Sequence, residues 1–463
     1  MEKKLEFGGV SWMIGISALI LFACSSLRHE LFQSLAWDLG IFDQAIYLIS
    51  QGKSPISSLI GFHILGDHAA WILYPLALLY KIHPSVYWLF AVQAIALALG
   101  ALPTWYLARQ AGLKDSQALA IPVVYLLYPL IFNVNLFDFH PEVMAVPALL
   151  GSVLAARGGK IWWFCASILV ILGCKAVLSL TVAAMGIWLL IFEKRRLCGA
   201  IAIFSGIVWF AIATKAIIPY FGTEAASIER HIGRYSYLGN SFSEIPQNLL
   251  SKPEIIFGNL FSTDNLGYLI LLIAPVIWGF SLQGITPLVA AIPSLGINLL
   301  AEYQPQKELL HQYSLPILPF LLLAVINTLA TGRGWLQNKR TIILWSLVAF
   351  LSLAKFTYFT GKYLKNLDNW QATREAIALV ETQGTVLTTD ELAPHLSHRQ
   401  FIYLMNRDAL PDNFNTFDYI LINTRQPGLS MSKELAVSLV KKLQKQPIKL
   451  QYQQDEVYLF TKK

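Results

Sequence analysis

Three side chains that can bind a metal ion or exchange a proton alternate in the segment Asp138-Phe139-His140-Pro141-Glu142. In an extended strand Asp138, His140 and Glu142 would face the same way, and Pro141 favours an extended backbone at the residue before it. A carboxylate, imidazole, carboxylate set could hold Mg²⁺ or Mn²⁺ that carries a substrate phosphate. The alternative is a cap at the start of a helix, with the histidine held by a hydrogen bond.

A second acidic motif, WDLGIFDQ at residues 37–44, follows the first long apolar run. Gly40 could break a helix and let the Asp38 carboxylate turn over a membrane surface. That carboxylate could be a general base for an acceptor hydroxyl, a metal ligand or a helix cap. Asp43 lies five residues further along and would not share a helix face with Asp38. We predict a catalytic role for Asp38 and a substrate contact for Asp43.

Seven other polar side chains in predicted loops are candidates for binding a phosphate-bearing substrate: His63, His68, Lys175, Arg230, Arg234, Lys307 and His311. Arg230 and Arg234 would share one face of a helix, and the guanidinium fork suits a phosphate. A surface helix that faces anionic lipid headgroups would show the same pattern. Lys175 could instead extend its ammonium to the membrane interface, and the spacing of His63 and His68 defines no ligand geometry.

The segments that must position these residues are mostly apolar. Of the 463 residues, 55% are hydrophobic and 14% are charged, which is too little polar material for a soluble globule of this size. A soluble enzyme is therefore excluded.

The net charge of +7 comes from scattered clusters with no basic stripe among aromatics, so we expect no nucleic-acid partner. The four cysteines lie in apolar segments without metal-ligand spacing and predict neither disulfides nor a zinc site.

A membrane-spanning helix needs about 20 mostly apolar residues, and the sequence predicts about eleven such spans. Five follow from uncharged runs at 9–27, 85–108, 117–137, 197–214 and 312–332. Run 265–301 has room for two spans with a turn near Gln283. Four shorter spans are predicted at 143–156, 161–174, 176–192 and 341–354. Residues 69–80 are too few to span and are predicted to lie along the interface.

Clusters of lysine and arginine orient these spans, because such residues are enriched on the cytoplasmic side of a membrane. The resulting topology places the N-terminus in the cytoplasm and the C-terminal residues outside the cell. Two large loops, 28–84 and 220–264, then lie on the outer side together with all nine histidines. We therefore expect the chemistry on the outer face.

The predicted transmembrane domain covers residues 1–360, and a small soluble domain covers residues 361–463. The latter holds 24 of the 63 charged side chains. Strand-like runs at 386–389, 400–405, 417–423, 448–452 and 457–461, with a helix at 432–445, predict an α/β fold. The polar segment 394–399 is interpreted as a surface turn, and the alternative is a loop that contacts the membrane domain or a substrate.

Five segments occur in an order typical of one family: residues 37–44, the segment from 68 to 109, Phe139-His140-Pro141-Glu142, Tyr237-Leu238-Gly239 and residues 392–397. Together they resemble the predicted membrane proteins labelled domain of unknown function 2079 (DUF2079), and the resemblance covers nearly the whole chain. That family in turn resembles the GT-C class of membrane glycosyltransferases.

The resemblance implies a GT-C-like fold, a polyprenyl-phosphate sugar donor and inverting transfer to an acceptor outside the plasma membrane of a bacterium. Asp38 would take the place of the acid in the first outer loop of that class. The sequence departs from the family pattern at one place that bears on catalytic activity. The family pattern places an acidic pair after Lys175, whereas this chain has Ala176 and Val177, which implies an altered or inactive member if those acids bind metal or orient the acceptor.

A transporter or a non-catalytic lipid-binding scaffold is the alternative function. A transporter should carry ionisable groups near the middle of the membrane and repeated broken helices, whereas here such groups collect at the predicted outer edge. A metal-dependent hydrolase would need a helical ligand pair such as HExxH, which this sequence lacks. The pattern favours an enzyme or a lipid-binding protein whose partners are membrane lipids and a polyprenyl phosphate.

Overall fold

The computed structural model describes residues 2–223, 232–239, 244–251, 253–364, 367–381, 383–406, 410–411 and 413–462. These residues form two compact units. The first unit contains Met1–Phe22, Leu65–Ile72 and Ala91–Lys355, and the second contains Ala23–Ile64, Leu73–Phe90 and Phe356–Lys463. The second unit therefore includes much of the predicted first outer loop besides the C-terminal residues, and a domain boundary at residue 360 stays a prediction.

Apolar helices dominate the chain. Five helical segments among the described residues are long and apolar enough to cross a membrane: Phe7–Glu30, Tyr87–Gln110, Asp115–Asn135, Arg196–Phe221 and one that begins at Lys339. Shorter apolar segments accompany them at Leu73–Ile82, Ile161–Cys174, Leu178–Ile191, Thr263–Gly279, Thr286–Leu300 and Leu318–Ala330. The predicted α-helical membrane protein is confirmed, whereas the count of eleven spans stays a prediction.

The first unit is largely helical. Its α-helices are the first part of Glu2–Glu30, Leu65–His68, most of Tyr87–Leu99, Ala101–Gln110, Asp115–Leu126, Pro129–Asn135, Ala145–Arg157, Ile161–Cys174, Leu178–Ile191, Arg196–Ile212, Ile218–Phe221, Glu244–Ser251, Pro253–Leu260, Thr263–Ile273, Ile292–Leu300, Leu318–Ala330 and Lys339–Leu353. Short 3-10 segments connect several of them, at Pro141–Met144, Gly233–Leu238, Ala274–Gly279, Thr286–Ala291, Gln304–Lys307 and Gln312–Ser314.

Prolines decide where two of the predicted spans begin and end. The helix predicted at 312–332 begins only at Leu318, with Pro319 in its first turn, because a proline inside a helix removes a hydrogen bond and clashes with the preceding turn. Run 265–301 forms two helical segments, and the turn between them lies at 282–284, as predicted around Gln283.

Small residues let two helices of the first unit pack closely. Leu178–Ile191 packs along Arg196–Ile212, and a Cβ added at Gly186 would lie 2.7 Å from the carbonyl oxygen of Gly199. Such an approach requires glycine, as is common between membrane helices. This close packing holds the start of the helix Leu178–Ile191 in place. The segment just before Leu178 contains Lys175.

The second unit contains a mixed sheet and short helices. The strands β1 (Ile56–Ser57) and β2 (Phe62–His63) form a small antiparallel hairpin. The sheet consists of β3 (Val386–Thr388), β4 (Ile402–Leu404), β5 (Tyr419–Asn423), β6 (Lys449–Gln454) and β7 (Val457–Thr461). The α-helices are the last part of Glu2–Glu30, Ile41–Ser50, Leu73–Ile82, Phe356–Leu364, Trp370–Ala378 and Lys433–Leu443.

The sheet has the strand order β4-β3-β5-β7-β6. β3 is parallel to β4 and β5, whereas β7 is antiparallel to β5 and β6. Leu439 and Leu443 lie four residues apart on the helix Lys433–Leu443 and join Ile420 and Phe460 in one apolar cluster. The small strand-containing C-terminal region is thus present, with each strand overlapping its predicted run.

Candidate functional site

Lys175 lies between two apolar helices, as its charge within an apolar sequence predicts. It follows the helix Ile161–Cys174 in an extended conformation. Backbone hydrogen bonds fix it on both sides, from the Ile72 N–H to the Gly173 carbonyl at 3.0 Å and from the Ala176 N–H to the His68 carbonyl at 2.9 Å. Its ammonium is therefore directed by the backbone and does not depend on a flexible loop.

The Lys175 ammonium makes an ion pair with Glu142. The Nζ to Oε1 distance is 2.7 Å, and the two side chains are only 13% and 6% exposed. Glu142 is held in the 3-10 turn Pro141–Met144, which begins after an extended His140, as the proline predicts. A charge buried to this degree needs a partner of opposite charge. Lys175 and Glu142 each provide that partner for the other.

The surroundings keep both members of the pair ionised. Burial raises the pKa of Glu142, but the positive field of Lys175, His140 and His68 outweighs burial and holds this pKa below its ordinary value. Burial lowers the pKa of Lys175, but Glu142 and, more weakly, Tyr313 outweigh it and raise this pKa above its ordinary value. The two directions agree with a stable ion pair.

A second cation lies close to the same aromatic ring. The Lys175 Nζ is 6.0 Å from the centre of the Tyr313 ring, and the Arg234 guanidinium carbon is 5.6 Å from it. Arg234 also lies 4.4 Å from the Tyr303 ring centre and donates from Nη1 to Gln306 Oε1 at 3.1 Å. Among the described residues the side-chain hydrogen-bond partners of Arg234 are the neutral Gln306 and Tyr313, so its charge could act on an anion.

Phe137 brings two of the predicted histidines together. The His140 ring stacks on Phe137 at 5.7 Å between ring centres, and the His311 ring meets the same side chain edge-on at 4.3 Å. The backbone N–H of His140 donates to Gln93 Oε1 at 3.2 Å. The aromatic residue that separates the predicted ligands in sequence is Phe139, whereas Phe137 makes these ring contacts.

Asp138, His140 and Glu142 are all buried, but Glu142 already has the Lys175 ammonium as its cation. Across the described ranges, no group of three or more His, Cys, Asp or Glu side chains is arranged to hold a metal ion. This donor set therefore does not fit Mg²⁺ or Mn²⁺ in the conformation observed. Metal binding by the three residues stays a prediction.

The remaining candidates of the first unit are His68, which lies near the ion pair, Lys307 and Arg230. His68 lies 3.3 Å from the Asp67 carboxylate, and Lys307 ends the 3-10 turn that also holds Gln306. Arg230 lies outside the described residues, so its predicted common face with Arg234 is untested. Arg234 itself lies in the 3-10 segment Gly233–Leu238.

In the second unit, Asp38 lies half-buried in a π-helical segment, Ala36–Gly40, that leads directly into the helix Ile41–Ser50. The predicted helix break at Gly40 is wrong, because Gly40 has helical backbone angles, φ −60° and ψ −41°. A Cβ at this position would lie 3.1 Å from Leu59 and 3.8 Å from Pro394. Gly40 therefore allows close packing, and the wide π turn sets the direction of Asp38.

Asp43 is fully buried and is bound by three protein donors. The Tyr80 and Ser397 hydroxyls donate to its carboxylate oxygens, and His398 Nε2 lies 3.1 Å from Oδ2. The predicted substrate contact of Asp43 stays untested.

His63 lies in β2 with Nε2 3.5 Å from the Tyr74 hydroxyl, and burial lowers the pKa of His63.

The interpretation of residues 394–399 as a surface turn is wrong. Pro394, Leu396, Ser397 and Arg399 are buried, and His398 stacks on Tyr47 with 4.9 Å between ring centres and 5° between ring planes. The high density of polar side chains in 394–399 is the sequence feature that could have indicated a buried polar contact. It could not identify Asp43 as the partner, because Asp43 and His398 are 355 positions apart in the sequence.

A family model described as "Predicted membrane protein (DUF2079)" matches residues 28–459. Among solved structures, the chain is similar to ArnT from Cupriavidus metallidurans bound to undecaprenyl phosphate, with a TM-score of 0.57, 12% identity and 98% of both chains covered. It is also similar to the apo state of ArnT from the same organism, with a TM-score of 0.54, 10% identity and 99% and 98% of the chains covered. No curated protein sequence matches. The likeness to ArnT shows a common fold.

Proposed function

The chain belongs to the DUF2079 family of predicted membrane proteins, and on this premise we propose that it is a GT-C-type glycosyltransferase with a polyprenyl-phosphate sugar donor. The observation that carries the proposal is the ArnT-like fold over nearly the full chain, since that ArnT structure contains undecaprenyl phosphate. At so low an identity the fold does not specify the chemistry, which must follow from the residues of this chain.

Lys175 and Arg234 suit the phosphate of such a donor. Both lie within about 6 Å of the Tyr313 ring. Lys175 and Arg234 are the two cations beside this ring, and Glu142 offsets one of their two positive charges. Lysine acts on phosphate as a point charge and arginine as a fork of N–H donors, so together they would bind the phosphate of the donor.

Asp38 is proposed as the catalytic base. Its carboxylate would take the proton of the acceptor hydroxyl while that oxygen bonds to the anomeric carbon. The bond from this carbon to the phosphate oxygen breaks, and polyprenyl phosphate leaves with the electron pair, so the configuration inverts. A half-buried carboxylate beside the exposed Trp37 is accessible to an acceptor. No step requires a metal ion.

The reaction is proposed for the outer face of a bacterial plasma membrane, with the N-terminus in the cytoplasm and the C-terminal region outside. The positions of basic clusters support this orientation. The sugar donor would reach the site from the bilayer, and membrane lipids would surround the apolar helices.

A lipid-binding protein without transfer activity is the alternative, and a specific observation favours it. Ala176 and Val177 stand where the resemblance to the family implies acids, and the Ala176 backbone N–H donates to the His68 carbonyl. Such a protein would keep the cations around Tyr313 and would bind the lipid phosphate without catalysis.

A transfer assay in proteoliposomes tests the proposal. The full chain is reconstituted with a radiolabelled sugar polyprenyl phosphate, and loss of label from the lipid is followed with candidate acceptors and with water. We expect turnover that Asp38→Asn lowers by about 10²–10⁴-fold. Asp455→Asn is the matched control, because Asp455 is exposed at a turn with φ 47° that asparagine tolerates. Lipid binding without any turnover would favour the non-catalytic alternative.

A further inference from the structure

We propose that the segment 390–402 of the second unit positions Asp38, acting through Asp43 and Gln44 as a clamp on residues 36–44. Asp43, Gln44, Ser397 and His398 are then positioning residues that act through the backbone of this segment. The inference rests on the proposed function in one respect, that Asp38 is the catalytic base.

The clamp begins beside Asp38 itself. The Ala36 N–H donates to the Asp390 carbonyl at 3.0 Å. On the other side of Asp38, Gly40 lies next to Pro394, because a Cβ added at Gly40 would be 3.8 Å from Pro394 Cγ, an ordinary contact distance. Residues two positions before and two positions after Asp38 therefore both touch the same C-terminal segment.

Asp43 is the second point of attachment. Its carboxylate is 1% exposed and accepts hydrogen bonds from Ser397 and from Tyr80 of the helix Leu73–Ile82. His398 Nε2 lies 3.1 Å from Oδ2. A buried carboxylate with three donors is costly to leave unpaired, so the helix Ile41–Ser50 has one preferred rotation about its axis, and this rotation sets where the preceding π turn directs Asp38.

Gln44 is the third point of attachment. Its side-chain amide donates to the carbonyls of Arg399 at 3.2 Å and Gln400 at 3.3 Å. Its carbonyl accepts from Ser57 Oγ at 2.7 Å and from the Ser58 N–H at 3.0 Å. The same residue thus connects the C-terminal segment to the hairpin of β1 and β2.

The contact between Asp43 and His398 adds a dependence on pH. Burial lowers the pKa of His398, but Asp43 outweighs burial and raises this pKa above its ordinary value, with Arg399 opposing. The other titratable groups that face this imidazole are Tyr47, which stacks on it, Tyr80, which meets it edge-on, and His29. Protonated His398 binds Asp43 more strongly than the neutral ring does, so the clamp is tightest below the pKa of His398.

Hydrogen exchange of the full chain in lipid nanodiscs tests the clamp without any assay of activity. We expect Ser397→Ala and His398→Phe to speed exchange of amides 36–46 by about tenfold or more, with β5 unchanged as an internal reference. His398→Gln retains a donor and should restore most of the protection. His83→Gln, the same change at an exposed histidine of the second unit, should leave exchange as in the parent chain.

Kinetics then test positioning. In the parent chain kcat should fall as pH rises through the pKa of His398, and His398→Gln should remove this fall while leaving KM for the lipid donor within about twofold. Unchanged exchange at 36–46 in folded Ser397→Ala and His398→Phe would overturn the clamp. Faster exchange there, combined with full turnover in Asp38→Asn, would instead support the clamp and refute the proposed role of Asp38.

Discussion

The Nζ of Lys175 lies 2.7 Å from Oε1 of Glu142, and neither side chain is more than 13% exposed. The two residues come from different turns, one after the helix Ile161–Cys174 and one before the helix Ala145–Arg157. An isolated charge at either position would lower the free energy of unfolding, because removing one member of a buried pair leaves the other charge uncompensated. The pair therefore has consequences for both stability and ligand binding.

Lys175→Met should destabilise the protein by about 3–5 kcal/mol, because Glu142 is left buried and unpaired. Adding Glu142→Gln to this variant should recover much of the loss, since the second change removes the uncompensated charge. Thermal unfolding in detergent measures both effects. Lys53→Met, at an exposed lysine, is the control and should unfold at the parent temperature. A Lys175→Met variant as stable as the parent would contradict the pair's importance.

Arg234→Lys should weaken binding of undecaprenyl phosphate by about tenfold, or roughly 1.4 kcal/mol. Lysine keeps the charge but cannot stack on Tyr303 or present a planar fork of donors. Binding is measured by titrating the lipid into protein in nanodiscs. Arg333→Lys, at an exposed arginine, controls for loss of an arginine elsewhere. Equal affinity in Arg234→Lys and the parent would remove Arg234 from the phosphate site.

The sequence predicts those features that depend on local chemistry. The helices Ile161–Cys174 and Leu178–Ile191 are predicted to within two residues, because Lys175 interrupts two apolar runs. Pro141 correctly predicts the extended His140, and short strand-like runs predict the strands of the C-terminal sheet.

What the sequence could not predict depends on distant contacts. Gly40 is compatible both with a helix break and with close packing, and only the positions of Leu59 and Pro394 decide between them. Asp43, whose predicted substrate contact stays untested, is surrounded by donors from segments up to 355 residues away. No local pattern encodes such a pairing, because the backbone path that brings the two segments together is a property of the whole unit.

The predicted topology has a direct test. Reporter fusions should place residue 112 in the cytoplasm and residues 60, 240 and 420 outside, because Arg109, Lys114 and the other basic clusters then lie on the cytoplasmic side. Residue 240 lies outside the described residues. Paired alkaline phosphatase and fluorescent protein fusions at each position make the measurement self-controlled. A cytoplasmic location for residue 420 would contradict the proposed outer site.

His395 should make the protein sensitive to acid. Its ring stacks on His29 at 3.9 Å between centres, its buried Nε2 has no hydrogen-bond partner among the residues that the structure describes, and burial lowers its pKa to about 4. An unfolded histidine has a pKa of about 6.5, so the unfolded chain binds more protons between these values. Stability present above pH 6.5 is therefore lost as pH falls towards 4, by about 3 kcal/mol. His395→Phe keeps the stacked ring and should make the fall in unfolding temperature between pH 7 and pH 5 smaller than in the parent, in which both His395 and the buried His29 titrate. His83→Gln should follow the parent profile, and an equally steep profile in His395→Phe would exclude His395 as the cause.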